Sequence, residues 1–289
     1  MARLRLSLLL ALIASLAAAT LADAGACSAA TSLERGASYL LARQGSDGGF
    51  AEPGASSSAG LTAWAVLGLK ASGSASVELQ AASDYLAQAP APQATDLELR
   101  LLAQAALARD VSKLADQIEQ LHRPDGRIGP ALNSTYWGVL ALRAAGRKPA
   151  KTTLRYILRA QRKDGGWPWS ARAASDAGDT AAAVQALRAA GASARSAPIT
   201  RAIRYLRRCQ NKAGGFAVSP DTDSDAQSTA WAIQALVAAR RDPGAAPFRY
   251  LKKLQRGDGS FRYSARYVTT PAWVTAQVLC ALARKPFPF

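Results

Sequence analysis

The chain has 289 residues, with 36 Lys or Arg against 20 Asp or Glu, a formal charge of +16 and a pI near 10.3. Three cysteines and a single histidine exclude a disulfide-built scaffold and show no paired metal spacing. Beyond the first residues no stretch approaches the roughly 18 consecutive apolar residues of a membrane span.

Arg3 and Arg5 precede an apolar run from Leu6 to Ala19, and Ala24-Gly25-Ala26 has the small-residue form that signal peptidases cut. Residues 1–26 are therefore expected to be a signal peptide, with a secreted mature protein starting at Cys27. A cysteine directly after the cut also admits a lipid-anchored N-terminus, although a lipobox carries Leu where Ala24 stands. The remaining residues, 27–289, suit one domain. Their Arg residues are spread over many helical segments (Arg155, Arg159, Arg188, Arg204, Arg207, Arg240), which reads as a solvated surface. Weak association with polyanions or a cell wall follows from the charge. No signature of specific nucleic-acid binding accompanies it.

One phrase then recurs along the chain: a Tyr-Leu helix, a Gln, a Gly-rich turn ending in an aromatic, and an Ala-rich helix. The first copy runs from Tyr39 through Gln44 to Gly48-Gly49-Phe50 and into Thr62-Ala63-Trp64. The second keeps Tyr85-Leu86 and a helix over Leu97 to Ala108, with Pro90 and Pro92 as the break. The third has Asp125-Gly126, with His122 in the Gln slot, and a helix from Thr135. The fourth, fifth and sixth repeat the turn as Gln161 to Trp167, Gln210 to Phe216 and Gln255 to Phe261, followed by helices from Thr180, Thr229 and Thr275. A single helical hairpin cannot bury its apolar face, so repeated hairpins must stack on one another. Both ends of the array are apolar rather than capped by polar units, which favours closure into an all-α ring of about twelve helices, six hairpins in two concentric layers. Cys209 and Cys280 lie in apolar helical patterns and read as buried free thiols, with a disulfide between them left open.

A Gln followed by Gly-Gly-Phe or Gly-Gly-Trp and then a Thr-Ala helix resembles the repeat of the terpenoid cyclase and protein prenyltransferase superfamily. The resemblance covers nearly the whole of 27–289 and implies an α/α toroid. Class II cyclases of that superfamily protonate an alkene with the middle Asp of Asp-x-Asp-Asp-Thr-Ala. Here the fourth unit reads Asp176-Ala177-Gly178-Asp179-Thr180-Ala181 and the fifth Asp225-Ala226-Gln227-Ser228-Thr229-Ala230. Gly178 and Gln227 occupy the acid slot, so a displaced acid would have to come from Asp176, Asp179, Asp223 or Asp225. Prenyltransferases hold zinc with Asp, Cys and His, and that set is not recognisable here, so no cofactor is expected.

The inner helices do offer aromatic surface. Trp64, Trp137 and Trp231 each stand two residues after their Thr, with Trp273 and Tyr136 nearby in phase. The residues thus point to a binding domain for an apolar, isoprenoid-like small molecule. The alternatives are an isoprenoid cyclase or prenyl-transferring enzyme with a displaced acid, and a corrinoid carrier for which His122 is the available ligand.

Overall fold

The computed structural model describes residues 32–74 and 78–289, which form twelve helices. The expected signal peptide and Cys27 lie outside the described residues. An outer layer is made by α1 (32–41), α3 (Glu78–Gln88), α5 (Ser112–Gln120), α7 (Lys151–Arg159), α9 (Ala197–Arg208) and α11 (Ala245–Leu254). An inner layer is made by α2 (Ala59–Ser72), α4 (Ala94–Ala106), α6 (Leu132–Ala144), α8 (Ala177–Ala189), α10 (Ala226–Ala238) and α12 (Pro271–Leu282). Each inner helix packs on the next in order, and α12 packs back on α2, so the ring is closed.

Burial explains which helices go where. α2 is buried without a break from Leu61 to Leu69, and α10 from Thr229 to Leu236, as helices flanked on every side must be. The outer α9 instead buries one stripe, Ile199, Ala202, Tyr205 and Leu206, and turns Arg201, Arg204 and Arg208 to solvent. Alanines on the inner helices allow close approach. At the seam a Cβ added to Gly68 on α2 would lie 2.6 Å from the Ala276 carbonyl oxygen on α12, so the two backbones touch only because residue 68 has no side chain.

The recurring phrase resolves into hydrogen bonds. The Gln amide of each turn donates to the carbonyl four residues on: Gln44 to Gly48, Gln161 to Gly165, Gln210 to Gly214 and Gln255 to Gly259, at 2.9–3.0 Å. The amide of the turn aromatic donates to the Thr that opens the inner helix: Phe50 to Thr62, Trp167 to Thr180, Phe216 to Thr229 and Phe261 to Thr275, at 2.8–2.9 Å. Those four aromatics are fully buried. Gly165, with φ at +93°, packs against the Arg201 carbonyl of the following outer helix, a place and a backbone conformation that both require glycine. His122, in the Gln slot of the third unit, pairs its Nε2 with Thr153 Oγ1 at 2.6 Å, a joint between α5 and α7.

Closure reuses the same joints. Gln255 donates to the Ser32 carbonyl at 2.8 Å, as Gln161 does to Pro198 at 2.9 Å inside the ring. The Glu52 carboxylate accepts from the Ala272 and Trp273 amides at 2.9 and 2.8 Å and so caps α12 from the first unit. Two details depart from the sequence expectation. α4 starts at Ala94, three residues earlier than expected, where the Asp96 carboxylate accepts from the Gln93 amide at 3.1 Å. A two-residue antiparallel pair, β1 (Phe216–Ala217) and β2 (Ser224–Asp225), forms beside α10. Cys209 and Cys280 are both buried free thiols.

Candidate functional site: an indole-floored cup

Counted from the Thr that opens each inner helix, the residues two before and two after lie on one face, one turn apart. The first set contributes Gly60, Asn133, Gly178, Gln227 and Trp273, with Thr95 from α4. The second contributes Trp64, Trp137, Ala182, Trp231 and Gln277, with Leu99 from α4. Together with Asp96 and Asp179 they line a cavity of about 380 Å³ at the N-terminal end of the inner helices.

Its floor is aromatic. Trp64, Trp137 and Trp231 meet edge to face in a triangle with ring centroids 5.2–5.6 Å apart, and Trp273 lies 6.1 Å from Trp64. Phe287 of the C-terminal segment closes the floor from the other side, 5.8–6.2 Å from the same three indoles and only 3% exposed. Two inner-helix glutamines hold that segment. Gln234 donates to the Lys285 carbonyl at 2.9 Å, and the Phe287 amide donates to Gln185 Oε1 at 2.8 Å. The tryptophans are therefore packed core on one side and cavity floor on the other, and the ring holds a cup rather than a through-channel.

The wall carries one unusual acid. Asp176 caps α8 by accepting the Asp179 amide at 2.8 Å, which brings the Asp176 and Asp179 carboxyls together. Burial, then the Asp176 charge, push Asp179 up to about 8, while the Asn133 amide, donating to Asp179 Oδ1 at 2.5 Å, pulls the other way. The fifth unit shows why. Ser228 stands where Asp179 does, and its hydroxyl donates to Asp225 Oδ2 at 2.7 Å. A carboxyl can make the same donation only while protonated. Both carboxyls are raised above the usual carboxylate range, chiefly by burial, and Asp179 lines the cup. Beside it a Cβ added to Gly178 would meet only Asp176 Oδ1, at 3.4 Å, so the motif's acid slot is open space.

The remaining sequence candidates lie elsewhere. Asp225 caps α10, accepting from the Ser228 amide and hydroxyl at 2.7 Å each, and burial raises it. Asp223 is exposed and lines a separate cleft. Tyr136 is fully buried, its hydroxyl donating to the Pro168 carbonyl at 3.1 Å, and does not line the cup. His122 is outside it as well. Among the described residues no group of three His, Cys, Asp or Glu is arranged to hold a metal ion, and no helix is long and apolar enough to cross a membrane. Sequence reasoning missed Asn133, Gln277, Thr95 and Asp96, and read Gln227 only as the occupant of the acid slot. The signal that finds Asn133, Gln227 and Gln277 is position, two before or two after the Thr, rather than residue type; Thr95 stands two before Leu97, which fills the Thr slot of α4, and Asp96 falls outside the rule.

Residues 138–279 match the model of the squalene-hopene cyclase C-terminal domain, and residues 4–97 match the prenyltransferase alpha-alpha toroid domain. No curated protein sequence matches the chain. Among solved structures, type II terpene cyclase MstE from Scytonema superposes with a TM-score of 0.68 at 21% identity, covering 88% of this chain and 97% of that one. The chain has the fold of the terpenoid-cyclase/prenyltransferase α/α-toroid superfamily. Another toroid that resembles it is a protein from Actinoplanes, with a TM-score of 0.66, 20% identity, and 89% and 99% of the two chains covered. A form of MstE in complex with geranylgeranyl dihydroxybenzoate, its substrate, matches with a TM-score of 0.66 at 19% identity over 88% and 96% of the two chains. Against the toroid cyclase motif, the fourth unit of this chain keeps Asp176, Asp179, Thr180 and Ala181 and lacks only the middle acid.

Proposed function

We propose that this toroid is an isoprenoid cyclase of the type II kind, acting on a short prenyl chain held in the indole-floored cup, with Asp179 as the displaced acid. The observation that carries the reading is the buried Asp176–Asp179 carboxyl pair, with Asp179 raised by burial and set in the wall of a cavity floored by indoles. The cup, at about 380 Å³, is near the small end of ligand pockets, which favours a short chain.

Each step has a residue to perform it. Asp179 gives its proton to the terminal alkene: the O–H bond breaks, the alkene π pair forms the new C–H bond, and a tertiary carbocation results. The carboxylate left behind is stabilised by the Asn133 amide and by the N-terminal end of α8, where Asp179 sits in the first turn. Indole faces stabilise the cation by cation–π attraction while the next alkene closes a ring carbon–carbon bond. Loss of a neighbouring proton to the Asp179 carboxylate ends the sequence and restores the acid. No cofactor enters. The basic, apolar leader of residues 1–26 supports export, and the surface charge supports weak polyanion association.

A pure carrier of the same ligand is the second reading, favoured by Gly178 in the acid slot. A corrinoid has less support, because the one histidine is joined to Thr153 outside the cup. Incubation with geraniol or farnesol and gas chromatography of the extract separates the first two. The cyclase reading expects cyclised product from the native protein and a loss of about a hundredfold or more in Asp179→Asn. Bound but unchanged alcohol with both proteins would establish the carrier.

A further inference from the structure

We infer a second ligand site, for a small organic carboxylate, where the fifth unit has lost the acid of its Gly-turn. In the first and fourth units that acid closes a small network. Asp47 Oδ1 accepts from the Gly49 amide at 3.0 Å and the Ser57 hydroxyl at 2.9 Å, and Asp164 Oδ1 accepts from the Gly166 amide at 2.8 Å and the Ser175 hydroxyl at 2.9 Å. The fifth unit keeps both donors, Gly215 and Ser224, but carries Ala213 where the carboxylate belongs. Asn211 takes over only the turn itself, accepting from the Ala213 amide at 3.0 Å. The Ser224 hydroxyl oxygen is left buried with no partner, in a residue only 7% exposed. Such an orphan is costly in a folded protein unless a water or another group meets it, and here the sister units show which group that is.

Space for that group exists. A cleft of about 490 Å³ opens beside Ala213 and Ser224, between the loop before α10 and the loop before α12. Tyr263 and Tyr267 line it, the latter 59% exposed, and Arg266 brings a positive charge. A carboxylate placed where Asp47 and Asp164 hold theirs would accept from Ser224 and from the Gly215 amide, with an aromatic or aliphatic body against the tyrosines. Asp223, exposed on the same cleft, disfavours a ligand of more than one negative charge. Asp225 is spent on Ser228. The site is separate from the cup and does not depend on the cyclase reading.

Calorimetric titration of the full protein with benzoate, benzamide and inorganic phosphate tests it. Saturable binding of benzoate in the millimolar range is expected, with benzamide and phosphate at least about tenfold weaker. Ala213→Asp rebuilds the sister network inside the protein and should abolish benzoate binding while melting at or above the native temperature. Ser224→Ala removes a hydroxyl that bonds to nothing and should weaken binding several-fold without loss of stability. Benzoate binding no better than benzamide or phosphate, or unchanged by Ala213→Asp, overturns the assignment.

Discussion

Replacing Asp179 by Asn removes one titrating group and keeps the shape that Asn133 bonds. In the native protein Asp179 moves from 3.8 to about 8, so between those values the folded chain keeps a proton that the unfolded chain has released. Unfolding then releases a proton, and stability falls as pH climbs from about 4 to about 8, levelling above. A fully buried, isolated carboxyl shifted this far would lose about 5–6 kcal/mol at 1.36 kcal/mol per unit. Asp179 is mostly buried but lines the open cup and is paired with Asp176, so screening from the cup and sharing of the shift between the two carboxyls reduce the figure to roughly 2–3 kcal/mol. Urea unfolding at pH 5 and at pH 8.5 measures the difference between the two proteins, cancelling every titration except those of Asp179 and of Asp176 coupled to it. The variant should match the native protein within about 1 kcal/mol at pH 5 and exceed it by roughly 2–3 kcal/mol at pH 8.5. Parallel pH profiles would mean that Asp179 is ionised at neutral pH, and the acid's role would fall with it.

Gly178→Asp restores the motif's middle acid in open space and at an ordinary backbone conformation. The variant should melt close to the native protein and raise cyclised product by about a hundredfold, read by gas chromatography. Phe287→Ala removes the plug beneath the indoles and should cost about 3 kcal/mol, seen as a drop in melting temperature of about 6–12 °C and a weaker near-ultraviolet indole signal. An unchanged melt would show that the C-terminal segment is not docked. Gly68→Ala forces α2 away from α12, since the new Cβ would lie 2.6 Å from a backbone oxygen, and should destabilise by about 2 kcal/mol or more in urea. A neutral outcome would mean that the ring does not close at that seam.

The ring was readable because each joint repeats. A Gln that reaches the turn carbonyl, a glycine against the next outer helix and a Thr that accepts the aromatic's amide recur in register, and each copy reinforces the others. The layer of wall residues was not readable this way. Gly60, Asn133, Gly178, Gln227 and Trp273 occupy one position in five units yet share no chemistry, since a cavity wall is defined by what it leaves room for. Asp179 and Asp225 looked like equal candidates in the sequence. Their neighbours separate them: Ser228 satisfies Asp225, whereas the two carboxyls of the fourth unit can satisfy each other only by keeping a proton. Phe287 lies outside the repeat, and its place under the indoles depends on Gln185 and Gln234, far away in the chain.

Deuterium transfer reports on the proton donor itself. If Asp179 protonates the prenyl chain, incubation in heavy water must place one deuterium on the former alkene CH carbon, next to the dimethyl-bearing carbon of the cyclised product, by mass spectrometry, and Asp179→Asn must yield none. Recovery of the prenyl alcohol unlabelled and uncyclised from the native protein would contradict the cyclase reading and leave the cup as a binding site.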